Sequence, residues 1–119
     1  MSGQINFYDS SSAGDCTITN YGPQTSFLDW ATRFWGTSTA GNAHITNKGS
    51  PDDFQQGGIT EFSPVFGESG CTAGNATIIN EGPMVAFGYG GATNFSNSDA
   101  GDAVITNEGA RCRALTEAV

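Results

Sequence analysis

An eight-residue stretch comes back four times in this chain, and so dense a recurrence restricts the fold to a stack of like units. It reads Ala-Gly-Asp-Cys-Thr-Ile-Thr-Asn at 13–20 and Ala-Gly-Asn-Ala-His-Ile-Thr-Asn at 40–47. It then reads Ala-Gly-Asn-Ala-Thr-Ile-Ile-Asn at 73–80 and Ala-Gly-Asp-Ala-Val-Ile-Thr-Asn at 100–107. A glycine stands two residues beyond each closing Asn: Gly22, Gly49, Gly82 and Gly109. Successive copies begin 27, 33 and 27 residues apart, so the unit is 27 residues and one copy carries six more. Aromatics keep the same phase. Phe27, Phe54 and Phe87 each lie seven residues after a repeated Asn, and Phe7, Phe34, Phe66 and Phe95 stand shortly before the Ala-Gly step. Aligned this way, the insertion falls between Gln55 and Thr72, within 55–58 or around 63–65.

The segment Ala-x-Ile-x-Asn alternates with period two, which reads as a short strand with Ala and Ile facing inward. The residues between them then face outward: Thr17 and Thr19, His44 and Thr46, Thr77 and Ile79, Val104 and Thr106. Asn-x-Gly, followed by Pro23 or Pro83 in two copies, is turn chemistry. The Phe segments at 25–30 and 84–89 read as further strands, giving about three per unit. A helical period is suggested only at 26–34. Its Phe27 and Phe34 are in register with aromatics of copies as glycine-rich as 87–91, which argues against a helix.

A unit of this size cannot bury a face alone and does so by stacking on its neighbours. The expected fold is therefore all-β: a parallel β-solenoid (β-helix) of about four coils, ~27 residues each, forming one domain over 1–119. The coils would run roughly 7–33, 34–65, 66–94 and 95–119. Equivalent residues then lie ~4.7–4.8 Å apart in columns. Ile18, Ile45, Ile78 and Ile105 make one inward ladder. Phe27, Phe54 and Phe87 make a second, and Phe7, Phe34, Phe66 and Phe95 a third. Asn20, Asn47, Asn80 and Asn107 make an amide ladder, each side chain bonded to its copies on either side. The column Gly14, Gly41, Gly74 and Gly101 marks a corner that needs positive φ or close backbone approach.

Composition narrows the function. A net charge of −8 with only 4 Lys and Arg leaves no basic footprint for nucleic acid and disfavours anionic membrane surfaces. No run of ~18 apolar residues is present to insert in a membrane, and the first residues carry no basic-apolar signal segment. The three cysteines, Cys16, Cys71 and Cys112, are too irregularly spaced for a disulfide framework or a zinc site. Cys16 takes a position that is Ala in the other copies and reads as a small buried side chain. Cys71 and Cys112 could pair, but nothing in the sequence requires it.

The pattern Phe, five or six residues, then Ala-Gly-Asn-Ala-x-Ile-x-Asn-x-Gly resembles the tandem repeats of large bacterial surface proteins of the autotransporter or adhesin-like type. The resemblance implies a parallel β-helix projecting from a cell, hence an extracellular or cell-surface location. This chain is far shorter, with no anchor or translocation domain in its 119 residues.

Site chemistry is sparse. His44, the only histidine, occupies an outward position and reads as surface decoration, with no Ser-His-Asp partners to place beside it. The column Asp15, Asn42, Asn75, Asp102 offers oxygen ligands for Ca²⁺. Asx after Gly is also ordinary turn chemistry, and that reading is preferred. The acidic pair Asp52-Asp53 reads as a loop. We therefore expect no enzyme activity, no cofactor and no metal. The outward face carrying Thr17, Thr19, His44, Thr46, Thr77 and Thr106 is a candidate binding face for glycan, ice or another surface. Only its first copy has Thr at both outward positions.

Repeat-like sequence runs from Ile5 to Gly109, close to four whole turns, leaving few residues to cap either end. An uncapped solenoid presents unpaired strand edges at top and bottom. A head-to-tail contact that does not close makes a filament. The expected function is structural: self-assembly with copies of itself into an extracellular or surface filament. The alternative is a binding module, an adhesin passenger fragment using the Thr-rich face.

Overall fold

The structure, a computed structural model, describes residues 3–22, 31–64 and 70–110. Its described residues form eight short strands and no helix. These are β1 (Ile5–Phe7), β2 (Thr17–Asn20), β3 (Ala31–Phe34), β4 (His44–Asn47), β5 (Ile59–Phe62), β6 (Thr77–Asn80), β7 (Ala92–Phe95) and β8 (Val104–Asn107). They build two four-stranded parallel sheets, ordered β1-β3-β5-β7 and β2-β4-β6-β8. Successive strands alternate between the sheets, so each repeat copy adds one strand to each. The fold is all-β, as the two-residue alternation implies.

The even-numbered strands are the repeated Ala-x-Ile-x-Asn segments, and identical residues pair across the sheet. Ile18, Ile45, Ile78 and Ile105 share one register position, and Asn20, Asn47, Asn80 and Asn107 another. A tight turn precedes each strand, with the amide of Ala43 donating to the Ala40 carbonyl at 3.0 Å in the second copy. Gly14, Gly41, Gly74 and Gly101 adopt φ of 60–62° in these turns, a backbone state that costs a β-carbon-bearing residue energy. A side-chain oxygen two residues earlier accepts each glycine N–H: Ser12, Thr39, Thr72 and Asp99, at 2.8–3.0 Å.

The core lies between the sheets. Ala40, Ala43, Ile45, Ala73, Ala76 and Ile78 come from the even strands and their turns, Phe34 and Phe62 from the odd strands, and all are buried. The phenyl rings stack along the odd sheet, Phe7 on Phe34, Phe34 on Phe62 and Phe62 on Phe95, with centroids 4.7–4.8 Å apart and planes within 8°. That spacing is the distance between hydrogen-bonded strands, so the ring column follows from the register. Phe34→Ala is expected to cost about 3–5 kcal/mol, since it removes a fully buried ring held between two others. Urea denaturation checks this; a loss under ~1 kcal/mol would mean that the column carries no packing.

Four expectations are corrected. The third rung of the phenyl column is Phe62, not Phe66, and Phe66 lies outside the described residues. The third repeat thus opens at Phe62. Phe62 and Thr72 are ten residues apart, where Phe34 and Thr39 are five, so the insertion follows Phe62, at the later of its two predicted places. Next, Phe54 and Phe87 do stack, with centroids 5.6 Å apart, but outside the core, 75% and 64% exposed. Phe27 lies outside the described residues. The third correction is that 84–89 forms bends and turns, while 25–30 lies outside the described residues; the described part of each copy has two strands. A third column survives only as the isolated bridges Ser12–Thr39–Thr72–Asp99. Last, Cys16 is exposed, whereas Ala43 and Ala76 at its position are buried. Cys16 belongs to the outermost rung, and only the second copy packs on its even strand.

Candidate functional site

Inside the molecule the Asn column is a continuous hydrogen-bonded ladder. Asn20 Nδ2 donates to Asn47 Oδ1, Asn47 Nδ2 to Asn80 Oδ1 and Asn80 Nδ2 to Asn107 Oδ1, each at 2.8 Å. The facing sheet contributes a Thr column, Thr32, Thr60 and Thr93, in register with one another and with Ile5 of β1. Thr32 Oγ1 donates to Asn20 Oδ1 at 2.6 Å, Thr60 to Asn47 at 2.9 Å and Thr93 to Asn80 at 3.0 Å. Two of the three Asn donors also reach one strand further: Asn20 Nδ2 to Thr60 Oγ1 at 3.1 Å, Asn47 Nδ2 to Thr93 Oγ1 at 3.3 Å. Buried amides and hydroxyls thereby satisfy one another. The Thr column was missed in sequence. Its signal is the tetrapeptide Ala/Ile-Thr-x-Phe at 31–34, 59–62 and 92–95.

This interleaving sets the relative height of the sheets. Asn20 of β2 bonds both Thr32 of β3 and Thr60 of β5, so β2 lies level with the gap between β3 and β5. The odd sheet therefore projects beyond the even sheet at the β1 end, and the even sheet projects at the β8 end. Asn20 is buried, covered from the side by the projecting odd strands, and Asn107 is exposed. The two steps are of opposite sense, like the halves of a lap joint.

The ladder also ends differently at its two ends. Oδ1 of Asn47 and of Asn80 each accepts two hydrogen bonds, one from an Asn and one from a Thr. Oδ1 of Asn20 accepts one, from Thr32. At the far end, Asn107 Oδ1 accepts from Asn80, and Asn107 Nδ2 donates to no described residue. A donor is left over at one end and an acceptor site at the other.

The outward columns of the even sheet are Thr17, His44, Thr77, Val104 and Thr19, Thr46, Ile79, Thr106. All eight lie on the face away from the core, exposed or half-buried. The structure thus brings Thr17, Thr19, His44, Thr46, Thr77 and Thr106 onto one flat face, with His44, Ile79 and Val104 interrupting its hydroxyl rows. His44 is exposed on it. Among the described residues no three His, Cys, Asp or Glu side chains come together as a metal centre needs. Asp53 caps the Phe87 amide at 3.3 Å, and Ser50 Oγ donates to the Asp52 carbonyl at 2.7 Å, so this acidic pair organises a turn.

Two further features escaped the sequence reading. Ion pairs bridge neighbouring copies: Arg33 Nε to Glu61 Oε2 at 3.2 Å and Lys48 Nζ to Glu81 Oε1 at 3.1 Å. Comparing outward positions between copies would have found them. An open groove of about 590 Å³ is lined by Gly70, Cys71, Thr72, Asn97, Ser98 and Asp99. Burial pushes the Cys71 thiol above its usual range, partly offset by a hydrogen bond with Ser98 and one to backbone. Cys16 and Cys71 are free thiols, and Cys112 lies outside the described residues. No protein-family profile, no curated protein and no solved structure matches the chain.

Proposed function

We propose that the chain is a parallel β-solenoid of about four coils whose work is structural. Copies stack head to tail, β1 of one copy pairing with β7 of the next and β2 with β8, and build a filament outside the cell or on its surface. The observation that carries this reading is the polarity of the Asn ladder. Its spare donor at Asn107 and its spare acceptor at Asn20 lie at opposite ends, and the stepped ends that bear them are complementary in shape. One lap joint gives the Asn107 amide a partner in Asn20 Oδ1 and continues both sheets. A contact between two different ends of the same molecule repeats without closing. The extracellular or surface location follows from the likeness of the repeat to those of bacterial surface proteins.

Electron microscopy of the purified protein is expected to show unbranched fibres, and their fibre diffraction a meridional reflection at ~4.7–4.8 Å from strands stacked along the axis. Monodisperse monomers at high concentration and moderate salt would rule the filament out. A second reading draws on the flat outward rows of the even sheet: a binding module for glycans or another repetitive surface. Thr46→Lys separates the two. It places a charge in the middle of the face, so it should abolish adsorption to immobilised polysaccharide while fibres still form.

A further inference from the structure

Building on the head-to-tail reading, we infer that assembly is gated by a proton shared between Asp15 of one copy and Asp102 of the next. The column after each turn glycine reads Asp15, Asn42, Asn75, Asp102: amides on both inner rungs, carboxylates on both outer rungs. Neighbouring rungs of this column are within hydrogen-bond reach, since Asn42 Nδ2 donates to Asp15 Oδ1 at 3.2 Å. The register that joins β8 of one copy to β2 of another sets Asp102 against Asp15 in the same way. Two ionised carboxylates there have acceptors only; with one proton between them, the protonated carboxyl donates to the other.

Among the described residues no cation stands on either outer rung. Asp99 shares the outer rung with Asp102, and Asp9 shares the other outer rung with Asp15, all exposed. The remaining described titratable groups of that outer rung, Tyr8, Cys16 and Tyr21, are uncharged when protonated. His44 stands one rung inward on the exposed face. The described cations lie on inner rungs beside carboxylates, Arg33 at Glu61 and Lys48 at Glu81. Charges at exposed strand edges are a known device against uncontrolled stacking, and here they replace amides only on the outermost rungs. The joined state binds one proton more than two separate ends, so assembly strengthens as pH falls and reverses as it rises.

The test measures the critical concentration for fibre formation by light scattering and electron microscopy, in chelating buffer, from about pH 4.5 to about pH 8, a span covering carboxyl titration. Asp102→Asn and Asp15→Asn are each compared with Asp52→Asn, which changes net charge equally but lies in an exposed turn away from both ends. The expected result is a critical concentration at neutral pH lowered ~10-fold or more by either end variant, a shift the repulsion of two close charges can supply. The pH dependence should flatten in those variants and persist in Asp52→Asn. If Asp102→Asn and Asp52→Asn behave alike while fibres form, the gate is overturned and the filament stands. If no variant forms fibres at any pH, the filament falls and the gate with it.

Discussion

Gly49→Ala is expected to abolish cooperative folding or to cost more than ~4 kcal/mol, beyond the usual range for a single substitution. The reason is a close approach of backbones. A β-carbon at Gly49 would fall far inside van der Waals contact distance of the Gly82 carbonyl oxygen on the next copy. The obstacle is main chain held in its own turn, so no rotamer change removes it. The two copies must separate locally, and hydrogen bonds such as Glu81 N–H to the Asn47 carbonyl, 2.9 Å, go with them. Gly109 ends the same glycine column, and a β-carbon there meets no described residue within 4 Å. Gly109→Ala should therefore stay within ~0.5 kcal/mol of the parent, the range of a harmless surface change. Guanidinium unfolding of the two variants below the fibre-forming concentration decides the matter. Equal stabilities would mean that the copies do not approach as described.

Asn47→Asp is the second large effect, with an expected loss of about 4 kcal/mol at neutral pH. Asn47 is fully buried and every polar atom of its side chain is used. Its amide nitrogen donates to Asn80 Oδ1 at 2.8 Å and to the Ala92 carbonyl at 3.0 Å. A carboxylate would face both acceptors without a proton to offer. Burial disfavours the charged form, so the new carboxyl would hold its proton to higher pH in the folded state than in the unfolded chain. The stability deficit is then smallest in acid and grows as pH rises toward neutral. Asn47→Ala should cost about 2–4 kcal/mol with no such pH dependence, because it strands the Thr60 hydroxyl and takes one of two acceptors from the Asn20 amide without adding a titrating group. Thermal melts of both variants across pH give the comparison. A pH-independent deficit for Asn47→Asp would place the side chain in water.

What could be read from the chain was what repeats identically. Ala, Gly, Ile and Asn recur at fixed offsets from one another, and each landed in its expected column. The phenyl column was misaligned at one rung because Phe66 was chosen by its distance to the Ala-Gly step. That distance contains the insertion. Phe62 is found instead by the residues before it, Ile59-Thr60-Glu61, which match 31–33 and 92–94 by type. Phe54 and Phe87 show a different limit. Constant spacing puts two residues in one column but does not say which side of the backbone the column occupies, and Phe54, at φ 61°, sits in a turn that points it outward. Cys16 was read from its equivalents in copies with neighbours on both sides, a condition the first copy does not meet. The Thr–Asn interleaving was out of reach for a subtler reason. It depends on the height of one sheet relative to the other, which a periodicity within either sheet does not encode.

The one-way run of amide donors gives this protein a chemical direction. If two molecules met by their Asn107 ends, two N–H groups would point at each other. If they met by their Asn20 ends, lone pair would oppose lone pair. Closed pairs related by a two-fold axis are therefore disfavoured through either tip, and only an arrow-like arrangement, every molecule pointing the same way, completes the ladder.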